Sequence, residues 1–313
     1  MDYQKPRIEF YRQRTFSEKM NATFDFIREN WKPLLKYSFY LIMPVCLVQT
    51  FAMNSFLNVY MDMVVSSTGG RTPFGSSMIG FFTNYGILIL CILIGSAIMS
   101  GMIYAMMQTY ATRENRLQNV TLNDFKEQLT KNAWKCLRII FALMFAYLFV
   151  VFLAAFLAVA SRYTLIITIP LVLAFIICLV PLMMLVPVYI FEHNLHFSEA
   201  IKKAWKLGIA TLGGMLGLMI VLYIISSVIQ TITMLPWYIV WIFGTIFSLS
   251  SDSMVNQSVI YKFAIYILGL LQSFGMYISA IIGIVGLAFQ YFHAREKVEG
   301  ITIESNISNF DKL

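Results

Sequence analysis

From Ile139 to Ala160 the chain runs 22 residues without a charge, and the only hydroxyl among them is that of Tyr147. About 20 apolar residues in a helix cross about 30 Å of hydrocarbon. Within lipid, backbone N–H and C=O groups have to be satisfied inside the segment, so a stretch of this kind is a spanning helix. At about −0.3 to −0.6 kcal/mol per strongly apolar residue it inserts unaided.

Five more segments read the same way. With 136–160 as the third, the expected spans are 34–61, 80–108, 136–160, 163–191, 207–234 and 258–292. The expected fold class is therefore all-α, a polytopic membrane protein forming a single membrane domain over 1–313. The aromatic run 235–250 (Pro236-Trp237-Tyr238 through Trp241 and Phe243) is too short to cross alone and reads as an interfacial or re-entrant helix. Composition agrees: 59% of residues are hydrophobic and 12% charged, against about 45–50% and about 25% in soluble domains. This excludes a water-soluble enzyme, a disordered chain and a nucleic-acid-binding domain.

The net charge is +7. With six spans and the N-terminus inside, 20 of the 23 Lys and Arg fall on inner segments; Arg71, Arg162 and Lys262 fall outside. A seventh span would carry Arg295, Lys297 and Lys312 outward, against the positive-inside rule. The expected location is a bacterial cytoplasmic membrane with both termini cytoplasmic. Residues 1–33 are charged and show no apolar signal-peptide core, so the first span is expected to serve as an uncleaved anchor.

Three inner segments share a signature. Thr15-Phe16-Ser17-Glu18, Thr121-Leu122-Asn123-Asp124 and His196-Phe197-Ser198-Glu199 each precede a basic helix and a Trp-Lys pair: Trp31-Lys32, Trp134-Lys135 and Trp205-Lys206. The first two openings fit a capping box, and His196 takes the cap position in the third. Apolar stripes follow at spacings of three and four: Phe16, Met20, Phe24, Ile27, Trp31 and Leu34; Leu122, Phe125, Leu129, Ala133 and Cys136; Phe197, Ile201, Ala204 and Gly208. Such helices are expected to lie along the inner interface, apolar face in the acyl boundary and Lys131, Lys135, Lys202, Lys203 and Lys206 toward headgroups. The expected repeat units, each an interfacial helix with a hairpin of spans, are about 14–108, 120–191 and 195–292, with a tail 293–313.

Phe16-Ser17-Glu18 with Arg28-Glu29-Asn30-Trp31-Lys32-Pro33-Leu34, the segment Glu199 to Leu207, and Glu296-Lys297-Val298-Glu299-Gly300 resemble uncharacterised bacterial six-helix integral membrane proteins. These are similar to the membrane domain fused to glycerophosphodiester phosphodiesterases. The catalytic domain has no counterpart here, so the resemblance implies a membrane architecture and transfers no activity and no site residues.

Other residues carry narrower expectations. Gln49, Asn54 and Asn58, with Asp62, can line a polar vestibule or mark a hydrated helix end. Pro170, Pro181 and Pro187 free backbone carbonyls in the fourth span and make it a candidate hinge or a fixed bend. Gly213 and Gly217, and Gly275, Ser279 and Gly283, have the four-residue spacing of close helix packing. Glu192, His193 and His196 lack the spacing of a zinc motif and read as a membrane exit and a cap. The glycine-rich Thr68 to Pro73 reads as a turn. Cys46, Cys91, Cys136 and Cys178 form no paired motif. Neither a cofactor nor a metal is expected, nor an enzyme. The expected function is a non-catalytic membrane protein that engages phospholipid and a membrane protein partner or its own copy. A permease for an amphiphilic molecule is the alternative.

Overall fold

The computed structural model describes residues 6–68, 76–160, 165–192, 195–249 and 258–301. Among the described residues every regular element is an α-helix. The helices are α1 (Phe16–Thr68), α2 (Ser76–Thr112), α3 (Leu122–Ala160), α4 (Leu165–Leu182), α5 (Leu185–Phe191), α6 (Phe197–Ala210), α7 (Leu212–Leu249) and α8 (Val259–Glu299). Six stretches are long and apolar enough to cross a membrane, in α1, α2, α3, α4 with α5, α7 and α8. The protein is an all-α, multi-pass membrane protein.

The long helices outrun the bilayer. α3 has 39 residues, which is about 58 Å at about 1.5 Å per residue, nearly twice the hydrocarbon thickness. Its sequence has no Pro or Gly between Leu122 and Ala160, so nothing separates an interfacial helix from the span. The second unit departs here from the expected pattern. The first and third units do break. Asn30, at φ −115° and ψ 19°, is non-helical inside α1. Pro33 explains this: its ring crowds the Glu29 carbonyl and supplies no N–H. The Asn30 amide compensates by donating to the Phe26 carbonyl at 2.9 Å. Thr211, at φ −127° and ψ 19°, separates α6 from α7.

Two other expectations are corrected. The run 235–250 is not a separate interfacial or re-entrant helix: α7 continues through Pro236 to Leu249. A membrane helix tolerates an internal proline where local hydroxyls and backbone adjust, and the Thr233 hydroxyl donates to the Gln230 carbonyl at 2.9 Å just before it. Conversely, the fourth span is not one helix. It stops at Leu182 and resumes at Leu185, with Met184 fully buried in the gap. Pro181 and Pro187 flank this break.

The chain divides into two compact units. The first comprises Met1–Leu34, Ser100–Tyr223 and Ile282–Leu313. Its centre is aromatic. Phe10, from the segment before α1, stacks on Phe292 with centroids 4.9 Å apart and on Tyr110 at 5.7 Å. It meets Phe289 edge-on at 5.8 Å, and Phe191 meets Phe292 at 4.8 Å. Each such pair adds about 0.5–1.5 kcal/mol to simple area burial. Two backbone crossings are close: a Cβ on Gly101 would sit 2.7 Å from the Ala133 nitrogen, and one on Gly208 2.7 Å from the Pro181 Cα.

The second unit comprises Leu35–Met99 and Ile224–Ile281, helical where described apart from Ser258. Glycines again set the spacing. Gly95 faces the Tyr277 ring, Gly244 the Tyr261 ring, Gly269 the Thr50 methyl and Trp237, and Gly275 the Thr233 side chain. Polar side chains pair between helices: the Tyr277 hydroxyl donates to Gln49 Oε1 at 2.7 Å, and the Thr50 and Ser273 hydroxyls lie 3.2 Å apart. Bonds of this kind in membrane interiors average about 0.6 kcal/mol and reach about 1.7.

Candidate functional site

The three helix starts are built alike. The Thr15 N–H donates to Glu18 Oε2 at 2.7 Å, the Thr121 N–H to Asp124 Oδ2 at 2.7 Å, and the His196 N–H to Glu199 Oε2 at 3.0 Å. Each carboxylate satisfies a backbone donor that the helix leaves orphaned. Downstream, Trp31, Trp134 and Trp205 are all exposed, at 53%, 59% and 38%. In a water-soluble protein three exposed indoles would need explaining; on a membrane protein, indoles of this kind belong at the headgroup level.

The apolar stripes are not equivalent. The start of α1 turns Lys19, Ala22, Thr23, Phe26 and Asn30 inward and leaves Phe16, Phe24 and Trp31 exposed. Phe16, Phe24 and Trp31 of its stripe thus face away from the protein, while Leu34 is buried. In α3, Phe125, Leu129 and Cys136 are buried, so that stripe is spent on the core of the first unit. α6 is divided, with Ala204 and Gly208 buried and Ile201 and Trp205 exposed.

Beside the α3 stripe lies a cavity of about 750 Å³ in the first unit. Its lining includes Lys131, Lys135 and Arg138 with Trp134, all from α3, and the aromatic rings of Phe10, Tyr11, Phe191 and Phe292. Lys131 is paired with Glu127 at 2.6 Å, and both side chains are well exposed. A pair so exposed has little hold on either partner. Lys135 is half-buried; it donates to the Tyr189 carbonyl at 2.7 Å and lies 5.0 Å from the Tyr189 ring centre. Arg138 is exposed, and no ion pair engages it among the described residues. Asn132 and Gln108 complete the polar lining, joined at 3.0 Å. Burial raises the Tyr11 phenol above its usual range, partly offset by the guanidinium of Arg295, so that ring stays uncharged.

A charge network ties the first unit together. Glu192 follows α5, and its side chain is 7% exposed. Lys203 of α6 lies 2.6 Å from Glu192 and 2.8 Å from Glu299, while Arg295 lies 3.0 Å from Glu299 and 3.6 Å from Glu192. The Tyr291 hydroxyl donates to Glu192 at 3.1 Å. Tyr291, Arg295 and Glu299 succeed one another at four-residue spacing on α8, the one signal in the sequence that marked them. Lys203 is therefore engaged within the protein and leaves the set expected to face headgroups; Lys202 and Lys206 are exposed. A second pair, Arg116 with Glu29 at 2.7 Å, fastens the turn after α2 to α1, and the Glu29 hydrogen bond raises the Arg116 guanidinium further.

The vestibule residues are not brought into one polar lining. Gln49 is buried and bonded to Tyr277. Asn54 is half-buried with its Oδ1 unpartnered among the described residues, and Asn58 is exposed. Of the prolines, Pro170 is exposed while Pro181 and Pro187 are buried, Pro181 against Gly208. The bend is thus packed, as a fixed bend is. The small-residue motifs split. Gly275 makes a close approach and Ser279 is buried, but among the described residues a Cβ on Gly213 or Gly283 would meet nothing within 4 Å, and one on Gly217 only Phe16 at 3.8 Å. Among the described residues, Gly213, Gly217 and Gly283 are therefore not close-packing positions. Gly95, Gly101, Gly208 and Gly269 are close as well.

No group of His, Cys, Asp or Glu among the described residues could hold a metal ion. His193, Arg162 and the turn residues Gly69 to Pro73 lie outside the described residues, and of Asp62 only the backbone is described. No family model, no curated protein and no solved structure matches the chain.

Proposed function

We propose that this protein holds anionic phospholipid at the inner face of a bacterial cytoplasmic membrane, without catalysing a reaction, as a scaffold or accessory subunit for a membrane partner. Both termini are cytoplasmic in this reading. The observation that carries it is the cavity of about 750 Å³ whose lining combines the cations Lys131, Lys135 and Arg138 with the aromatic rings of Phe10, Tyr11, Phe191 and Phe292. A phospholipid likewise combines an anionic headgroup with apolar chains. Basic pockets between spanning helices on the cytoplasmic side suit anionic headgroups, and Trp134 at the rim suits the headgroup depth. The same reading sets the chain beside the six-helix bacterial membrane proteins that its Glu199 to Leu207 segment resembles.

The test is thermal stabilisation in detergent by added phosphatidylglycerol or phosphatidylcholine. Phosphatidylglycerol is expected to raise the melting temperature more, and the double variant Lys131→Gln, Arg138→Gln to lose that difference while melting unchanged without lipid. Equal stabilisation by the two lipids, or an undiminished preference in the variant, would count against the proposal.

A further inference from the structure

Lys19 lies on the inward face of α1 and is 4% exposed. Among the described residues it is in no ion pair. Its ammonium donates to Gln290 Oε1 at 2.6 Å, a neutral acceptor. The charge of Lys297 acts on it and repels it. Burying a cation is costly unless it is paired, and this one is paired with an amide alone. Gln290 is fully buried, and its Nε2 has no partner among the described residues. Two buried donor groups thus meet with one acceptor between them.

The third component is the start of α7. A Cβ on Gly214 would lie 3.4 Å from the Lys19 ammonium, and among the described residues one on Gly213 would meet nothing within 4 Å. Leu212, Gly213 and Gly214 open a 38-residue helix, and the first N–H groups of a helix have no acceptor within it. The Thr211 hydroxyl, which could cap them, instead donates backward to the Leu207 carbonyl at 2.9 Å. The two glycines leave the backbone open to a ligand, and the helix dipole favours an anion there. Arg14 adds a further buried cation nearby in the chain; it is held by the carbonyls of Phe10 and Glu9, and its N–H donates to His293 Nδ1 at 3.0 Å.

We propose that Lys19, Gln290 and the Leu212–Gly214 amides form a binding site for a phosphate group. The site is separate from the cavity lined by Arg138 and does not depend on it. Both a lipid phosphate and free phosphate have this chemistry.

Calorimetric titration of the full chain in detergent tests it with two probes, inorganic phosphate and dioctanoyl phosphatidic acid. Three variants go with them: Lys19→Met, Gln290→Glu and Arg138→Gln. At least one probe is expected to bind the native chain. Lys19→Met should weaken that binding about tenfold or more, while Arg138→Gln reports on any binding in the separate cavity. Gln290→Glu should also remove it and raise the melting temperature, because the new carboxylate would itself pair with Lys19. Binding of the lipid alone assigns the site to a headgroup; binding of inorganic phosphate assigns it to a free anion. Failure of both probes to bind would overturn the proposal, as would binding unchanged in folded Lys19→Met and Gln290→Glu. Binding lost only in Arg138→Gln would overturn it too, while leaving the cavity reading intact.

Discussion

Replacing Glu192 with Gln keeps the side-chain volume and its acceptor for Tyr291 but removes one of the two negative charges that hold Lys203 and Arg295. Removing one partner of a buried ion pair costs about 3–5 kcal/mol. Here both cations keep Glu299, at 2.8 Å and 3.0 Å, in a site where that carboxylate is 25% exposed. The expected loss is therefore smaller, about 2–3 kcal/mol. Glu299→Gln should cost less, about 1–2 kcal/mol, since the more buried Glu192 remains. Because each acid compensates for loss of the other, the double variant should cost more than the sum, by about 0.5 kcal/mol or more. Reversible unfolding in mixed dodecyl maltoside and dodecyl sulfate micelles, followed by far-ultraviolet circular dichroism, measures all three. A Glu192→Gln chain within about 0.5 kcal/mol of native, or a strictly additive double variant, would refute the reasoning.

Other perturbations probe the packing. Phe10→Ala removes the ring at the centre of the aromatic cluster and should cost about 3–5 kcal/mol by the same unfolding measurement. Gly208→Ala drives a methyl into the Pro181 backbone and should cost about 1–3 kcal/mol, whereas Gly283→Ala, with nothing to meet among the described residues, should be neutral or stabilise by up to about 1 kcal/mol; the reverse order would show that the helix crossing is misplaced. Tyr277→Phe removes the donor to Gln49 Oε1 in the second unit and should cost about 1 kcal/mol, read from the melting temperature in detergent.

The six spans were legible because hydrocarbon imposes one rule on every residue of a crossing segment, and Ile139 to Ala160 satisfies it without exception. The helix starts were legible because a carboxylate three residues after the cap is a local device. Other features depend on partners that a single segment does not display. Pro33 marked a disturbance in α1, yet Pro236 passes inside α7 while Pro181 and Pro187 bracket a true break; the difference lies in what surrounds each one. The face of α3 bearing Phe125 and Leu129 has the amphipathic spacing of an interfacial helix and turns to protein instead. Gly213 and Gly217 have the spacing of a packing motif but no backbone against them among the described residues, whereas Gly101, four from Ala97 and Ala105, and Gly208, four from Ala204, have one. The cavity, too, could not be read ahead. Lys131, Lys135 and Trp134 were visible as a basic aromatic cluster, but the other rings of the lining come from Phe10, Phe191 and Phe292, far away in the chain.

The most direct measurement is native mass spectrometry of the protein released gently from its membrane, with the bound lipids identified. The account predicts anionic diacyl phospholipid retained well above its share of the membrane, and less of it on Lys131→Gln, Arg138→Gln. A chain released bare, or carrying zwitterionic and anionic lipids in their bulk proportions, would contradict it.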